Sequence, residues 1–373
     1  MKPLHILHTE SATGWGGQEI RIFQECKLLL ERGHRASIVC RPDSPLGEKC
    51  SQFSHLNFNY FPLPMRRPFS LPTLFSLARI IKSVQPDILH SHSSVDSWLV
   101  AITGKLLGVP IVRSRHVNIP MRNHIFNRWL YAKAPKRILT SGRGIAEMVS
   151  ERSGLSADKI ISIPAGVDFR IFDYKISGDK IRQELGISSH QPLIGIVGVI
   201  RGWKGYDYFV DSAPLVLEKF PDARFVIVGA GPGYEAILSK IKNQGLERSV
   251  FMLGHREDIP EIMAALDVHC VASFAVEGTT QVFPQAFAMK TPVVSTRIGS
   301  ILPILGNGER GILVALKDSQ DLAKGIMQFL DNPNLVQDMT EKAYAFSKKE
   351  LSTDKMMEQT ISVYQEVLNE SHP

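Results

Sequence analysis

Two doubly wound α/β domains are predicted by three features of the chain. Short β-branched runs alternate with amphipathic helical patterns. The alternation pauses over a polar stretch past residue 170 and then restarts. Two of the strand-like runs, PLIGIVGVI and ARFVIVGAG, are mostly apolar and β-branched. Strands separated by helices form crossover units and parallel sheets, and strands covered on both faces read as continuous apolar runs. At 373 residues the chain is long enough for two full cores.

The elements follow in order. LHILHT (4–9) is the first strand, then a glycine loop, ATGWGGQ, and the amphipathic helix EIRIFQECKLLLERG, which Gly33 ends as a C-cap. RASIVC, LNFNYFPL, DILHSH, VPIVRSRH, KRILTSG and DKIISIPAG are further strands, with helices at LPTLFSLARIIKSVQ, WLVAITGKLLG, NHIFNRWLYAKA and RGIAEMVSERSG. After the pause, SVFMLGH, VHCVAS, TPVVSTRIG and GILVAL join the two strands already quoted, and the chain ends in helix. The expected division is a first domain at 1–170, a linker at 171–190, a second domain at 191–345, and helices at 346–373 that return to the first domain.

Composition narrows the function classes. Residues 1–170 carry 23 Lys and Arg against 12 Asp and Glu, and the rest of the chain carries 20 against 25, so the net charge of +6 conceals a basic first half. A basic half suits an anionic or membrane-embedded partner. No basic block interleaved with aromatics appears, so nucleic acid is not expected. The N-terminus lacks the apolar segment of a secretory signal, which implies a cytoplasmic protein. Four cysteines without CxxC spacing read as buried thiols.

In doubly wound sheets ligands sit beyond the carboxyl ends of the strands, which selects the candidate residues. GVIRGWKG places Arg201 and Lys204 beside glycines, as a cationic clamp for a phosphate or as a solvated turn. VIVGAGPG, with Gly229, is a close backbone approach or a plain turn. VEGTTQVFPQ (276–285) lies where a strand hands over to a helix. There the backbone N–H groups of Gly278, Thr279, Thr280 and Gln281 would favour an anion. Glu277 would face hydroxyls, and Gln285, two turns into the helix, would reach a diol. A diphosphate with hydroxyls at both ends is a nucleotide sugar; a capped helix with a solvent-facing Glu is the plainer alternative. In the first half, Gly16 and Gly17 follow the first strand, His90 and His92 end DILHSH, and His116 ends IVRSRH. Histidine near neutral pH can orient a hydroxyl. The His-x-His spacing lacks a third metal ligand.

In their order these segments resemble the retaining glycosyltransferases of family 4 (glycosyl transferase group 1). GWGGQE, PDILHSHSS, VPIVRSRH, IPAGVDFRIF, GVIRGWKG, VIVGAGP and VEGTTQVFPQAFAMKTPVVST carry the likeness. The resemblance implies the GT-B fold, two Rossmann-like domains facing across a cleft. It implies transfer of a sugar from a UDP-, GDP- or ADP-sugar to an acceptor hydroxyl with retention, without metal or other cofactor. By matching position, His116, Glu277 and Lys204 are the catalytic candidates. The donor would be bound by Gly16, Gly17, Arg201, Lys204, Gly229, His255, Glu277, Gly278, Thr279, Thr280, Gln281 and Gln285. His92, Arg113 and Arg115, with Arg122 and Arg128, would meet an anionic glycan or glycolipid acceptor, and Met65–Phe69 would contact the inner membrane surface. The chain departs from the family pattern at Gln285, where a second acid is usual, at Val199, where an arginine is frequent, and at Ala165, where asparagine is usual. A non-catalytic, nucleotide-sugar-binding or scaffold relative is the alternative reading.

Overall fold

The computed structural model describes residues 2–116, 125–275, 281–298 and 301–370. The chain divides into two compact units, Met1–Pro164 with Met356–Pro373, and Ala165–Lys355.

The first unit is built on seven strands: β1 (His5–Glu10), β2 (Arg35–Cys40), β3 (Phe58–Pro62), β4 (Ile88–Ser91), β5 (Ile111–Arg115), β6 (Arg137–Thr140) and β7 (Ile160–Ser162). All neighbours are parallel, in the order β3-β2-β1-β4-β5-β6-β7. Every residue of β1 is buried because helices cover both faces. Ile6 packs with Ile22, Leu29 and Val363 on one side, and Leu7 with Leu77, Ile81 and Leu99 on the other. Val363 belongs to the last helix, Thr353–Asn369, which from Met356 onward lies in this unit and buries Met357, Tyr364 and Val367 in its core. The helix Gly17–Glu31 ends before Gly33, whose φ of +78° suits glycine. Trp129–Lys133 winds as a wider π turn within the stretch read as plain helix.

The second unit holds β8 (Leu193–Val197), β9 (Arg224–Val228), β10 (Val250–Gly254), β11 (Val268–Val271), β12 (Val293–Thr296) and β13 (Ile312–Val314), parallel in the order β10-β9-β8-β11-β12-β13. Successive residues of β9 serve opposite faces. Phe225 and Ile227 pack with Phe209 and Ile326; Val226 and Val228 pack with Phe283, Phe287 and Ile262. That period of two places a hydrophobic layer on each side.

Residues 171–190 are not a free linker. They carry the helix Asp179–Glu184, and Ile181 and Ile187 are buried in the core of the second unit. Isolated isoleucines in a polar run gave too weak a periodicity to show this. The helix Pro333–Glu350 also runs unbroken past residue 345, so the last segment changes unit after Lys355. All four cysteines are buried and free. No helix among the described residues is long and apolar enough to cross a membrane.

Candidate active site

Each sheet has a switch point where strand order reverses, and ligands bind at such points in open α/β sheets. In the second unit the switch lies between β8 and β11. β8 runs into the turn Gly202–Lys204, which carries the half-buried Lys204 and the exposed Arg201. The Arg201 guanidinium lies 5.5 Å from the Trp203 ring centre. Gly205 follows in a left-handed conformation, φ +75°, and a Cβ there would stand 2.0 Å from the carbonyl oxygen of Ala272. Only glycine lets the turn press so closely on the end of β11. The Phe274 amide then donates to the Trp203 carbonyl at 2.9 Å. The Lys204 turn and the start of the segment after β11 are thus joined by backbone.

The neighbouring strand ends continue this edge. Gly229, after β9, has φ +144°, and a Cβ would stand 1.9 Å from the Gly198 carbonyl oxygen, so packing of the β8 and β9 ends requires a glycine here. His255 is exposed immediately after β10. Lys204, Arg201, Gly229 and His255 therefore follow three adjacent strands at one edge of the sheet. Glu277, Gly278, Thr279 and Thr280 lie outside the described residues. Gln281 precedes the helix Val282–Ala288, and Gln285 is the fourth residue of that helix. Gln285 therefore sits in the first turn, not two turns in, because the helix starts only after Gln281.

The switch of the first unit lies between β1 and β4. Gly16 and Gly17 open the helix after β1, and the Gly16 amide donates to Glu19 Oε2 at 2.9 Å. A buried polar network that sequence reading missed stitches the two strand ends. Glu10, the last residue of β1, accepts from Gln18 Nε2 at 2.5 Å, from the Ala12 amide at 2.7 Å, and from the Ser93 hydroxyl. Asp96 accepts from Thr9 and Ser11 at 3.0 Å each and from the His92 amide at 2.9 Å. Burial, and then the nearby Asp96, raise the Glu10 carboxyl to about 8. Burial likewise raises Asp96. Two signals were available: a carboxylate ending an apolar strand just before a glycine loop, and the S-x-x-D spacing of Ser93 and Asp96, which form a capping box.

The histidines come together beside this network. His8 Nδ1 lies 3.0 Å from His92 Nε2, and His92 Nδ1 lies 3.2 Å from His116 Nε2, with each successive pair of rings stacked. His90 bonds Tyr364 Oη at 2.7 Å and Ser114 Oγ at 2.8 Å. Burial lowers His8 to about 3; burial and the charge of Arg21 lower His116 to about 3. Burial also holds His90 and His92 well below the ordinary range, helped by the neighbouring rings and Arg21. The four rings are neutral at working pH. His8, His90, His92 and Glu25 bring one ligand-type atom each within 4.8 Å of one another. Both nitrogens of His90 and of His92 already have protein partners, so the cluster is better suited to hydrogen bonding than to a cation.

His116, directly after β5, is half-buried and ends the row of rings. His92, expected to touch the acceptor, is buried behind it. Arg113 is also buried: its guanidinium lies 3.8 Å from the Tyr131 ring centre and bonds the Tyr131 hydroxyl at 3.0 Å. It therefore packs the sheet instead of facing an acceptor. Arg115 is half-buried and donates to the same hydroxyl. Arg128 is exposed, and Arg122 lies outside the described residues.

Two family profiles match the chain: Glycosyltransferase Family 4 over residues 15–170 and Glycosyl transferases group 1 over 177–346. The chain is 26% identical to the UDP-Gal:alpha-D-GlcNAc-diphosphoundecaprenol alpha-1,3-galactosyltransferase of Escherichia coli, covering 89% of this chain and 90% of that one. Among solved structures it resembles a glycosyltransferase from Rickettsia africae (TM-score 0.87, 20% identity, 99% of each chain). It also resembles Anabaena HepE in complex with UDP (TM-score 0.82, 21% identity, 97% of this chain and all of that one). With two parallel doubly wound sheets and both profiles in register with them, the chain belongs to the glycosyl transferases group 1, family 4, and is a nucleotide-sugar-dependent glycosyltransferase of the GT-B fold.

Proposed function

We propose that this enzyme transfers a sugar from a nucleoside diphosphate donor, UDP foremost, to a hydroxyl of an envelope glycan or glycolipid, with retention at the anomeric carbon. The observation that carries the reading is the backbone junction of the Lys204 turn with the segment after β11 at the switch point of the second unit. Negative charge grows on the departing diphosphate as the glycosidic bond breaks. Lys204, Arg201 and the amides leading into the helix after Gln281 would meet that charge more strongly in the transition state than in the ground state. Gln285 would clamp the ribose diol through its amide in place of the usual acid. Glu277 would address the donor sugar hydroxyls. His116, neutral, would orient the sugar rather than act as a strong base.

UDP is favoured because the galactosyltransferase relative uses a UDP-sugar and Anabaena HepE binds UDP. A lipid-linked acceptor is favoured by that same relative, whose name gives an alpha-D-GlcNAc-diphosphoundecaprenol acceptor, and by the surface of the first unit. Phe69, Leu71 and Phe75 are more than half exposed beside the exposed Arg66 and Arg67. Phe69 rests on Trp98, which stacks on Trp129. Apolar side chains flanked by arginines suit an anionic bilayer surface. The test is a panel of UDP-, GDP- and ADP-sugars with lipid-linked acceptors, monitored for nucleoside diphosphate. Acceptor-dependent release from one donor is expected. Release from none would remove the reading in favour of a binding protein.

A further inference from the structure

We infer that Glu25, His8 and His92 hold His116 in one neutral tautomer, with its proton on Nε2 and its Nδ1 bare, so that His116 meets the substrate as a hydrogen-bond acceptor. The assignment of a substrate rests on the function proposed above; the assignment of the proton does not.

A neutral imidazole carries one N–H and one lone pair. His92 is bonded through both nitrogens to other imidazoles, so it donates through one and accepts through the other. The row His8–His92–His116 therefore has only two proton orders, and choosing the tautomer of one ring chooses all three. His90 stands outside the row, its nitrogens being taken by Tyr364 and Ser114.

The far end decides between the orders. Glu25 is buried and paired with Arg21, whose Nε lies 2.7 Å from Oε1. Its Oε2 has no hydrogen-bond partner among the described residues, and neither has His8 Nε2. Both atoms are buried, and their two residues belong to one cluster in which one ligand-type atom of each lies within 4.8 Å of the other's. A carboxylate oxygen can only accept. Of the two His8 nitrogens only Nε2 is left for it, so its field favours the proton there. His8 Nδ1 then accepts from His92 Nε2–H, and His92 Nδ1 accepts from His116 Nε2–H. The reverse order would turn a lone pair of His8 toward a carboxylate in a buried site, where an unpaired polar group is costly. Burial keeps the rings of the row from taking a second proton, and at His92 and His116 the charge of Arg21 adds to it.

His8, His92 and Glu25 are positioning residues in this scheme, because they act through His116. The test is 15N spectroscopy of the ligand-free, full-length protein labelled at histidine, with His116 assigned by its loss in His116→Gln. The expected result near neutral pH is an unprotonated Nδ1 and a protonated Nε2 on His116. A protonated Nδ1 on wild-type His116 would overturn the inference without any other variant. Glu25→Gln, whose amide can donate to His8 Nε2, should raise the Nδ1-protonated fraction of His116 and lower kcat about tenfold with the donor KM within twofold, and Glu25→Asp should restore both. An unchanged tautomer in Glu25→Gln would also overturn it. If the tautomer is as stated but no donor is turned over, the row stands and only the functional reading falls.

Discussion

The carbonyl of Trp203 accepts a hydrogen bond from the amide of Phe274 at 2.9 Å. It ties the turn before Lys204 to the strand exit that, three residues later in sequence, reaches Glu277. The nearby Gly205, with no room for a Cβ against Ala272, holds that tie at backbone contact. The turn that carries the Lys204 cation is thereby fixed by backbone against the end of β11 at the switch point, and a charge held in place in this way is what stabilisation of a transition state needs.

Lys204→Ala should lower kcat/KM roughly a hundredfold, in line with the loss of about 3 kcal/mol seen when one oxyanion donor is removed. Because Lys204 is only half-buried, the melting temperature should change little. Steady-state kinetics together with thermal unfolding measure both. A variant that loses stability and activity in parallel would make Lys204 a packing residue.

Gly205→Ala should destabilise the second unit by about 1–3 kcal/mol, from the left-handed backbone and the contact with Ala272. It should also weaken donor binding by moving the Lys204 turn. Denaturant unfolding and donor titration are the measurements, and wild-type values in both would refute the packing account.

Gln285→Glu should tighten the donor about fivefold, a gain of about 1 kcal/mol from a charge-assisted bond to the ribose diol. Calorimetry with a nucleoside diphosphate measures this. Equal affinity would show that the side chain does not reach the ribose.

Acid should unfold the first unit steeply. His8 and His116 are lowered to about 3, and His90 and His92 lie well below the ordinary value of about 6.5. Below about 6.5 the unfolded chain binds protons that the folded chain refuses. Stability therefore falls as pH drops from there toward 3, by at most about 1.4 kcal/mol per pH unit for each ring. Glu10 acts in the opposite sense. Its folded value of about 8 lies above the ordinary 4.5, so its contribution is present at low pH and is lost as pH rises from 4.5 to 8. Urea midpoints across this range should rise from acid toward neutral, and Glu10→Gln should gain on the wild type at the alkaline end. A flat profile in the acid range would contradict neutral buried histidines.

Phe69→Ser with Phe75→Ser should abolish co-sedimentation with anionic vesicles while leaving transfer to a water-soluble acceptor intact. Wild-type binding should weaken as salt rises. Equal sedimentation of wild type and variant would remove this surface from the account.

Much of the fold was legible because buried parallel strands are continuous apolar runs and their helices are amphipathic. The strand ends carrying His116, Lys204 and His255 could be located in this way. Burial of polar side chains could not. Arg113 has the same chemistry as an exposed arginine until Tyr131, eighteen residues away, is seen beneath it. His92 looked like a surface ligand because its partners, His8 and His116, come from two other strands. Tyr364 meets His90 across 274 positions, a contact no local pattern encodes. Ile181 and Ile187 were hidden by their polar neighbours.

Titration calorimetry of UDP into wild type and Lys204→Ala tests the central claim most directly. Saturable binding by the wild type, weakened at least tenfold in the variant, is the predicted result. No binding of UDP, GDP or ADP by the wild type, or equal affinity in the two proteins, would contradict the assignment of this turn to the donor diphosphate.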